Sequence, residues 1–160
     1  MNTVIAYDSL FGNTEQVVLK IADALREYGQ VQTVRVEHTH PLYVQEVDLL
    51  ILGCPTQKWG TTPAMSALLE YIPAEALERL AVACFNTRLD EPQWLTGSAA
   101  ERMTRKLRKR GASQLFPPES FLVKGTHGPL EEGELERAAN WAIRLREQVE
   151  VHPDVMMGQD

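Results

Sequence analysis

Thr3-Val4-Ile5-Ala6-Tyr7-Asp8-Ser9-Leu10-Phe11-Gly12-Asn13-Thr14 reads as a short apolar strand, a hydroxyl- and glycine-bearing turn, and the opening of a helix near Glu15. A strand that feeds a helix N-terminus through such a turn makes an anion site. Backbone N–H groups converge there, the helix dipole adds partial positive charge, and Ser and Thr hydroxyls donate further bonds. The turn itself contains no Lys or Arg. A phosphate held in it would meet neutral donors, which suits the monoester of a tightly held cofactor better than a nucleoside triphosphate. The P-loop ending Gly-Lys-Ser/Thr and the dinucleotide pattern Gly-x-Gly-x-x-Gly are both absent. The plainer alternative is an ordinary capped turn with Asn13 or Thr14 as N-cap.

Outward from this turn, strand and helix patterns alternate to the end of the chain. Helical periodicity over 13–28 places Val17, Ile21, Ala24, Leu25 and Tyr28 on one face, and Gly29 stops it. Val31–Val36 alternates as a second strand. Val47–Leu52 is a nearly continuous apolar run, the pattern of a strand buried on both faces of a parallel sheet. A helix is expected from Pro63 to Tyr71, a fourth strand at Leu80–Phe85, and a helix at Ser98–Arg110 with Ala99, Met103 and Leu107 inward. The fifth strand falls within Gln114–Val123, where Pro117-Pro118 predicts an edge strand with a break. A last amphipathic helix covers Glu131–Val149. The crossover 37–46 has room for one or two helical turns at most. The expected architecture is α/β, a doubly wound three-layer sandwich on a five-stranded parallel sheet of order 2-1-3-4-5. Residues 1–149 would form the domain and 150–160 a mobile tail.

With 160 residues and a net charge of −6, the chain reads as a soluble acidic protein of one domain. That balance disfavours general nucleic-acid binding. No apolar run approaches the roughly 20 residues that cross a bilayer, and Met1-Asn2 leads straight into the first strand, so a cytoplasmic protein without membrane insertion is expected. Cys54 and Cys84 are too far apart for a Cys-x-x-Cys motif, and each closes a strand, where a small buried side chain packs well.

Ligands in such sheets bind beyond the carboxyl ends of the strands, where the strand order reverses. Three segments should meet there: the turn 9–14, the loop Gly53–Pro63, and the loop Phe85–Trp94. The second and third carry Trp59 and Trp94. Two aromatic planes beside a phosphate turn suit a flat heteroaromatic group, although either tryptophan also reads as a lid on its own loop.

Ile5–Glu15 resembles the phosphate turn of flavodoxins, and Gly53-Cys54-Pro55-Thr56 followed by Trp59-Gly60 resembles their second flavin loop. The resemblance covers residues 2–149 and matches a short-chain member. It implies non-covalent FMN, passage of single electrons between a reductase and an acceptor protein, and no catalytic residue. By the same resemblance Ser9, Gly12, Asn13 and Thr14 would hold the phosphate with the amides of Leu10 and Phe11. Pro55, Thr56, Gln57, Trp59, Gly60 and Thr61 would line the ring system, and Asn86, Thr87, Arg88 and Trp94 would close its other side. Gly60 would let its peptide turn toward flavin N5 on one-electron reduction, since it lacks Cβ. Two departures stand out. Phe11 occupies a position where the family pattern has a hydroxyl, and Asn86-Thr87-Arg88 replaces a Gly- and Asp-rich aromatic stretch. An arginine beside flavin N1 would favour the fully reduced anion; its alternative partner is Asp90 or Glu91.

Other patterns carry less. The basic run Arg102, Arg105, Lys106, Arg108, Lys109 and Arg110 reads as a solvated helix face, or more sharply as a patch for an acidic redox partner. His38 and His40 lack the accompanying ligands of a metal site, and His127 reads as a structural turn residue leading to the last helix, its alternative being a role at the cofactor edge. A phosphoacceptor domain would need an aspartate after the third strand, where Gly53-Cys54 stands, and neither cysteine begins a Cys-x5-Arg motif. The competing functions are an FMN-dependent oxidoreductase acting on a quinone or porphyrinogen, and a flavodoxin-like interaction module without cofactor.

Overall fold

The computed structural model describes residues 1–36 and 42–151. Six strands and six helices follow one another as β1 (Asn2–Tyr7), α1 (Asn13–Arg26), β2 (Gln30–Arg35), β3 (Leu49–Pro55), α2 (Pro63–Tyr71), α3 (Ala74–Arg79), β4 (Ala81–Leu89), α4 (Gln93–Thr96), α5 (Ala99–Lys109), β5 (Gln114–Leu115), β6 (Glu119–Val123) and α6 (Glu134–Val151). All pairings between these strands are parallel and the order is β2-β1-β3-β4-β5, with β6 also on β4. The expected strand order and layering are therefore present. His38, His40 and residues 152–160 lie outside the described residues, and the first two residues of the expected tail continue α6.

Side-chain alternation along each strand divides the interior into two layers. Val4, Ala6, Leu50, Leu52, Cys54, Val82 and Cys84 pack under α2, α3 and α5 with Met65, Leu69, Leu77, Met103 and Leu107. Ile5, Tyr7, Leu49, Ile51, Ala83 and Phe85 face α1 and α6 with Val17, Ile21, Trp141 and Leu145. Phe85, Phe121 and Trp141 meet edge-on in this second layer, with ring centroids 5.7–5.9 Å apart. Both cysteine sulfurs are inside the first layer, and burial pushes each thiol up to about 12.

Two local departures from the sequence pattern shape the site. The prolines split the edge strand: β5 pairs with Ala81 and Val82, β6 with Phe85–Leu89, and Pro117-Pro118 lies between them. Pairing with β6 in turn carries β4 four residues past Phe85, so Asn86, Thr87 and Arg88 are strand residues rather than loop residues. Register then aligns Tyr7 with Gly53 and Pro55 with Thr87, so β3 runs two residues past the end of β1 and β4 two residues past the end of β3, a stepped rim. Gly53 is required by this packing, because a Cβ there would lie 2.1 Å from Phe85 Cζ.

Candidate functional site

Past the end of β1 the Asp8 N–H donates to the Gly53 carbonyl at 3.0 Å, holding the turn against β3. Gly12 then takes φ 90°, a left-handed conformation that suits glycine, and α1 begins without a side-chain cap. Ser9 Oγ accepts from the Glu15 N–H at 3.3 Å and the Gln16 N–H returns to the Gly12 carbonyl at 3.1 Å. Among the described residues, the amides of Leu10, Phe11, Gly12, Asn13 and Thr14 have no hydrogen-bond acceptor. Five consecutive free donors at a helix start form an anion cradle.

Arg35, at the end of β2, fixes the turn from behind. Its guanidinium donates to the Ser9 carbonyl at 2.5 Å and pairs with Glu15 at 3.0 Å. The Glu15 carboxylate also accepts from Tyr7 Oη at 3.5 Å. Burial, then Glu15, raise the Tyr7 phenol above its ordinary value, with Arg35 acting in the opposite direction. One formal positive charge thus backs a turn that contains none, a feature the local motif did not signal.

In front of the cradle a cleft of about 260 Å³ opens at the carboxyl ends of β1, β3 and β4. Ser9, Leu10, Phe11, Asn13, Thr14, Pro55, Thr56, Gln57, Thr87 and Arg88 line it, together with Leu89, Val123 and Thr126. Thr14 and Thr87 join their buried hydroxyls at 2.9 Å across the floor. Arg88 donates to the carbonyls of Leu89 and Glu91 at 3.2 and 2.7 Å, rather than to an acidic side chain. Its Nε is buried and has no partner.

Most of the other expected residues contribute backbone or serve neighbouring elements, and Thr56 does so besides lining the cleft. Gly12 contributes backbone at the helix start. Asn86 is fully buried and turned away from the cleft, where its side-chain oxygen accepts from Ser98 Oγ at 2.9 Å and the Ala100 N–H at 3.0 Å. Thr56 Oγ1 accepts from the Ala99 N–H at 3.3 Å and Ser98 Oγ from the Glu101 N–H at 3.2 Å. The first amides of α5 are therefore closed by side chains, whereas those of α1 are open. Thr61 shares a hydrogen bond with Ser66.

Trp59 and Trp94 bound a second groove instead. Residues 57–60 form a two-residue turn, with Gln57 and Gly60 exchanging backbone bonds of 2.8 and 2.7 Å. The positive φ angles fall on Lys58 (45°) and Trp59 (65°), as a type I′ turn demands, and not on Gly60. Non-glycine residues hold such angles only where surrounding contacts enforce them. Here Trp59 Nε1 donates to the Leu95 carbonyl at 2.6 Å, and Gly97 is packed so closely on Trp59 that a Cβ would lie 2.5 Å from its Cα.

The wall formed by the 123–130 segment was not legible from the turn motifs. Its His127 ring meets Phe11 edge-on with centroids 4.2 Å apart, and a Cβ on Gly128 would lie 2.5 Å from the Asn13 side chain. The only hint in the sequence was His127 within a Gly- and Pro-bearing turn.

The sequence profile of the family Flavodoxin matches residues 5–141. The chain belongs to the flavodoxin family. Flavodoxin 1 of Bacillus cereus in its oxidised state is 18% identical with a TM-score of 0.74, over 92% of this chain and 98% of that one. A flavodoxin from the domain Archaea gives 18% and 0.75, over 94% and 99%. The rubredoxin oxygen:oxidoreductase of Desulfovibrio gigas gives 16% and 0.77, over 98% of this chain but 37% of that larger one. At these identities the likeness is one of fold. No curated protein matches the sequence. Flavodoxins bind FMN, and this flavodoxin's donor set fits that cofactor: an open amide cradle for the phosphate, backed by Arg35, beside a cleft with one unpartnered guanidinium N–H.

Proposed function

We propose that this flavodoxin is a cytoplasmic single-electron carrier, with residues 1–149 as the FMN-binding unit, serving a reductase and an acceptor protein. The observation that carries the reading is the run of free amides at residues 10–14 at the mouth of the cleft. FMN supplies the redox chemistry when bound; the protein binds, orients and sets the charge around it. In this reading the amides of Leu10 to Thr14 and the hydroxyls of Ser9 and Thr14 hold the phosphate. Pro55, Thr56 and Gln57 form one wall, and Thr87 and Arg88 the other. Arg88 Nε donates to an acceptor on the ring, and its charge favours the reduced, anionic form. The exposed Leu10 and Phe11 shield the phosphate edge from water.

Protein purified without added cofactor should be yellow, or should quench FMN fluorescence at micromolar concentration. Riboflavin, which lacks the phosphate, should bind much more weakly. Colourless protein that quenches neither compound would overturn the assignment. Oxidation of NAD(P)H by the purified holoprotein alone would favour the oxidoreductase alternative.

A further inference from the structure

The second groove lies on the far side of the 57–60 turn from the cleft and has a volume of about 460 Å³. Trp59 and Trp94 form its apolar walls and are 57% and 82% exposed. Leu95, beside them, is also exposed. The Trp59 ring is not a loose lid. Trp59 is tied to α4 through the Leu95 carbonyl, and α4 is held by the bond from the Gly97 N–H to the Gln93 carbonyl at 2.6 Å. An aromatic pair left facing solvent beside a fixed turn is an unusual use of apolar surface.

The groove's base is cationic. Arg102 and Arg105 of α5 line it, with Glu101 as the one carboxylate among the lining residues. Neither guanidinium makes an ion pair or hydrogen bond among the described residues, whereas Lys106 pairs with Glu70 and Arg110 donates to the Leu69 and Ile72 carbonyls. Arg108 and Lys109 extend the same exposed surface. This concentration of positive charge belongs to a chain whose net charge is −6. Arg102 also reaches the turn, since a Cβ on Gly60 would lie 3.2 Å from its Cδ.

We infer that this groove is the docking site for an acidic protein redox partner, whose carboxylates meet Arg102 and Arg105 while an apolar side chain enters between Trp59 and Trp94. Charge complementarity selects the occupant. A basic partner would be repelled here, and a nucleic acid would meet an otherwise acidic molecule. The inference rests on the electron-carrier reading, because docking at the 57–60 turn places a partner one turn away from the cleft.

The test uses holoprotein and two haem proteins of opposite charge, acidic cytochrome b5 and basic cytochrome c. Titration of cytochrome b5 should quench the fluorescence of Trp59 and Trp94, and quenching should weaken as salt rises. Arg102→Glu/Arg105→Glu should weaken it about tenfold at low salt, and Trp94→Ala should weaken it severalfold. In stopped flow the reduced holoprotein should pass electrons to cytochrome b5 with the same salt and charge-reversal dependence. Reaction with benzoquinone, a neutral oxidant, and the FMN absorption band should stay unchanged in the variants. Quenching that strengthens with salt, no effect of charge reversal, or saturable quenching by an oligonucleotide instead of cytochrome b5 would each overturn the inference. Colourless protein refutes FMN binding on its own, and the fluorescence titration still decides the docking.

Discussion

At the scale of single residues, hydroxyls and missing side chains shape the cleft. Thr14 and Thr87 share one hydrogen bond between buried hydroxyls on the floor of the cleft. Thr87→Val leaves the Thr14 hydroxyl unpaired, and we expect a loss of about 1–3 kcal/mol in urea unfolding together with weaker FMN binding. An unchanged midpoint would show that Thr14 finds another partner. Gly53→Ala would drive a methyl into the Phe85 ring and is expected to cost about 1–3 kcal/mol by the same measurement. Arg88→Met removes a charge beside the ring site without emptying the space. It should lower the potential of the second one-electron step on the order of tens of millivolts, read by redox titration. No shift would place the guanidinium charge outside the flavin's reach. Phe11 illustrates what a motif conceals. Its position was legible, but its contact with His127 depends on a segment more than a hundred residues away.

Among the elements, the edge strand decides how far the site extends. Pro117-Pro118 predicted a break, and the break is there. What the pattern could not convey is that the second fragment, β6, draws β4 out to Leu89. Local propensity ended that strand at Phe85, because Asn86, Thr87 and Arg88 read as polar loop residues; pairing on both sides overrode it. The same pairing explains Asn86, which serves the start of α5 and not the cleft. β6 is itself anchored to α6 by Glu134, which accepts from the Leu122 N–H at 2.7 Å and pairs with Arg137 at 2.8 Å. Burial opposes the charge on Glu134, yet the Arg137 guanidinium and the Leu122 N–H together hold its carboxyl below the usual carboxylate range. A carboxyl with a lowered folded value contributes stability above its unfolded value, about 4.3, and loses it as pH falls through the folded value. Between pH 6 and pH 3 the urea midpoint of the wild type should therefore drop further than that of Glu134→Gln. Parallel curves would show that the pair contributes nothing.

For the whole molecule, alternating patterns and buried runs sufficed to predict a doubly wound parallel sheet with a two-layered core, since each strand carries both faces in its own sequence; the order β2-β1-β3-β4-β5 came with the family resemblance. The short helices α3 and α4 escaped, being too brief to show a period. Trp59 and Trp94 were expected at the cleft because each follows a central strand; the type I′ turn and α4 direct them into a separate groove. If FMN binds only the folded form, cofactor at one hundred times its Kd should stabilise the protein by about 2.7 kcal/mol, seen as a rise in Tm. The same concentration of riboflavin should raise it less. Equal shifts would mean that the amide cradle contributes little.

Cys54 and Cys84 lie on the neighbouring central strands β3 and β4, two residues apart in register, and both are fully buried beneath α2, α3 and α5. A protein built to handle electrons thus keeps its own oxidisable atoms out of the circuit. Those thiols become a clock for the scaffold: a thiol-reactive dye will mark them only at the rate at which that helical layer lifts off the sheet, and a bound cofactor should slow the hand.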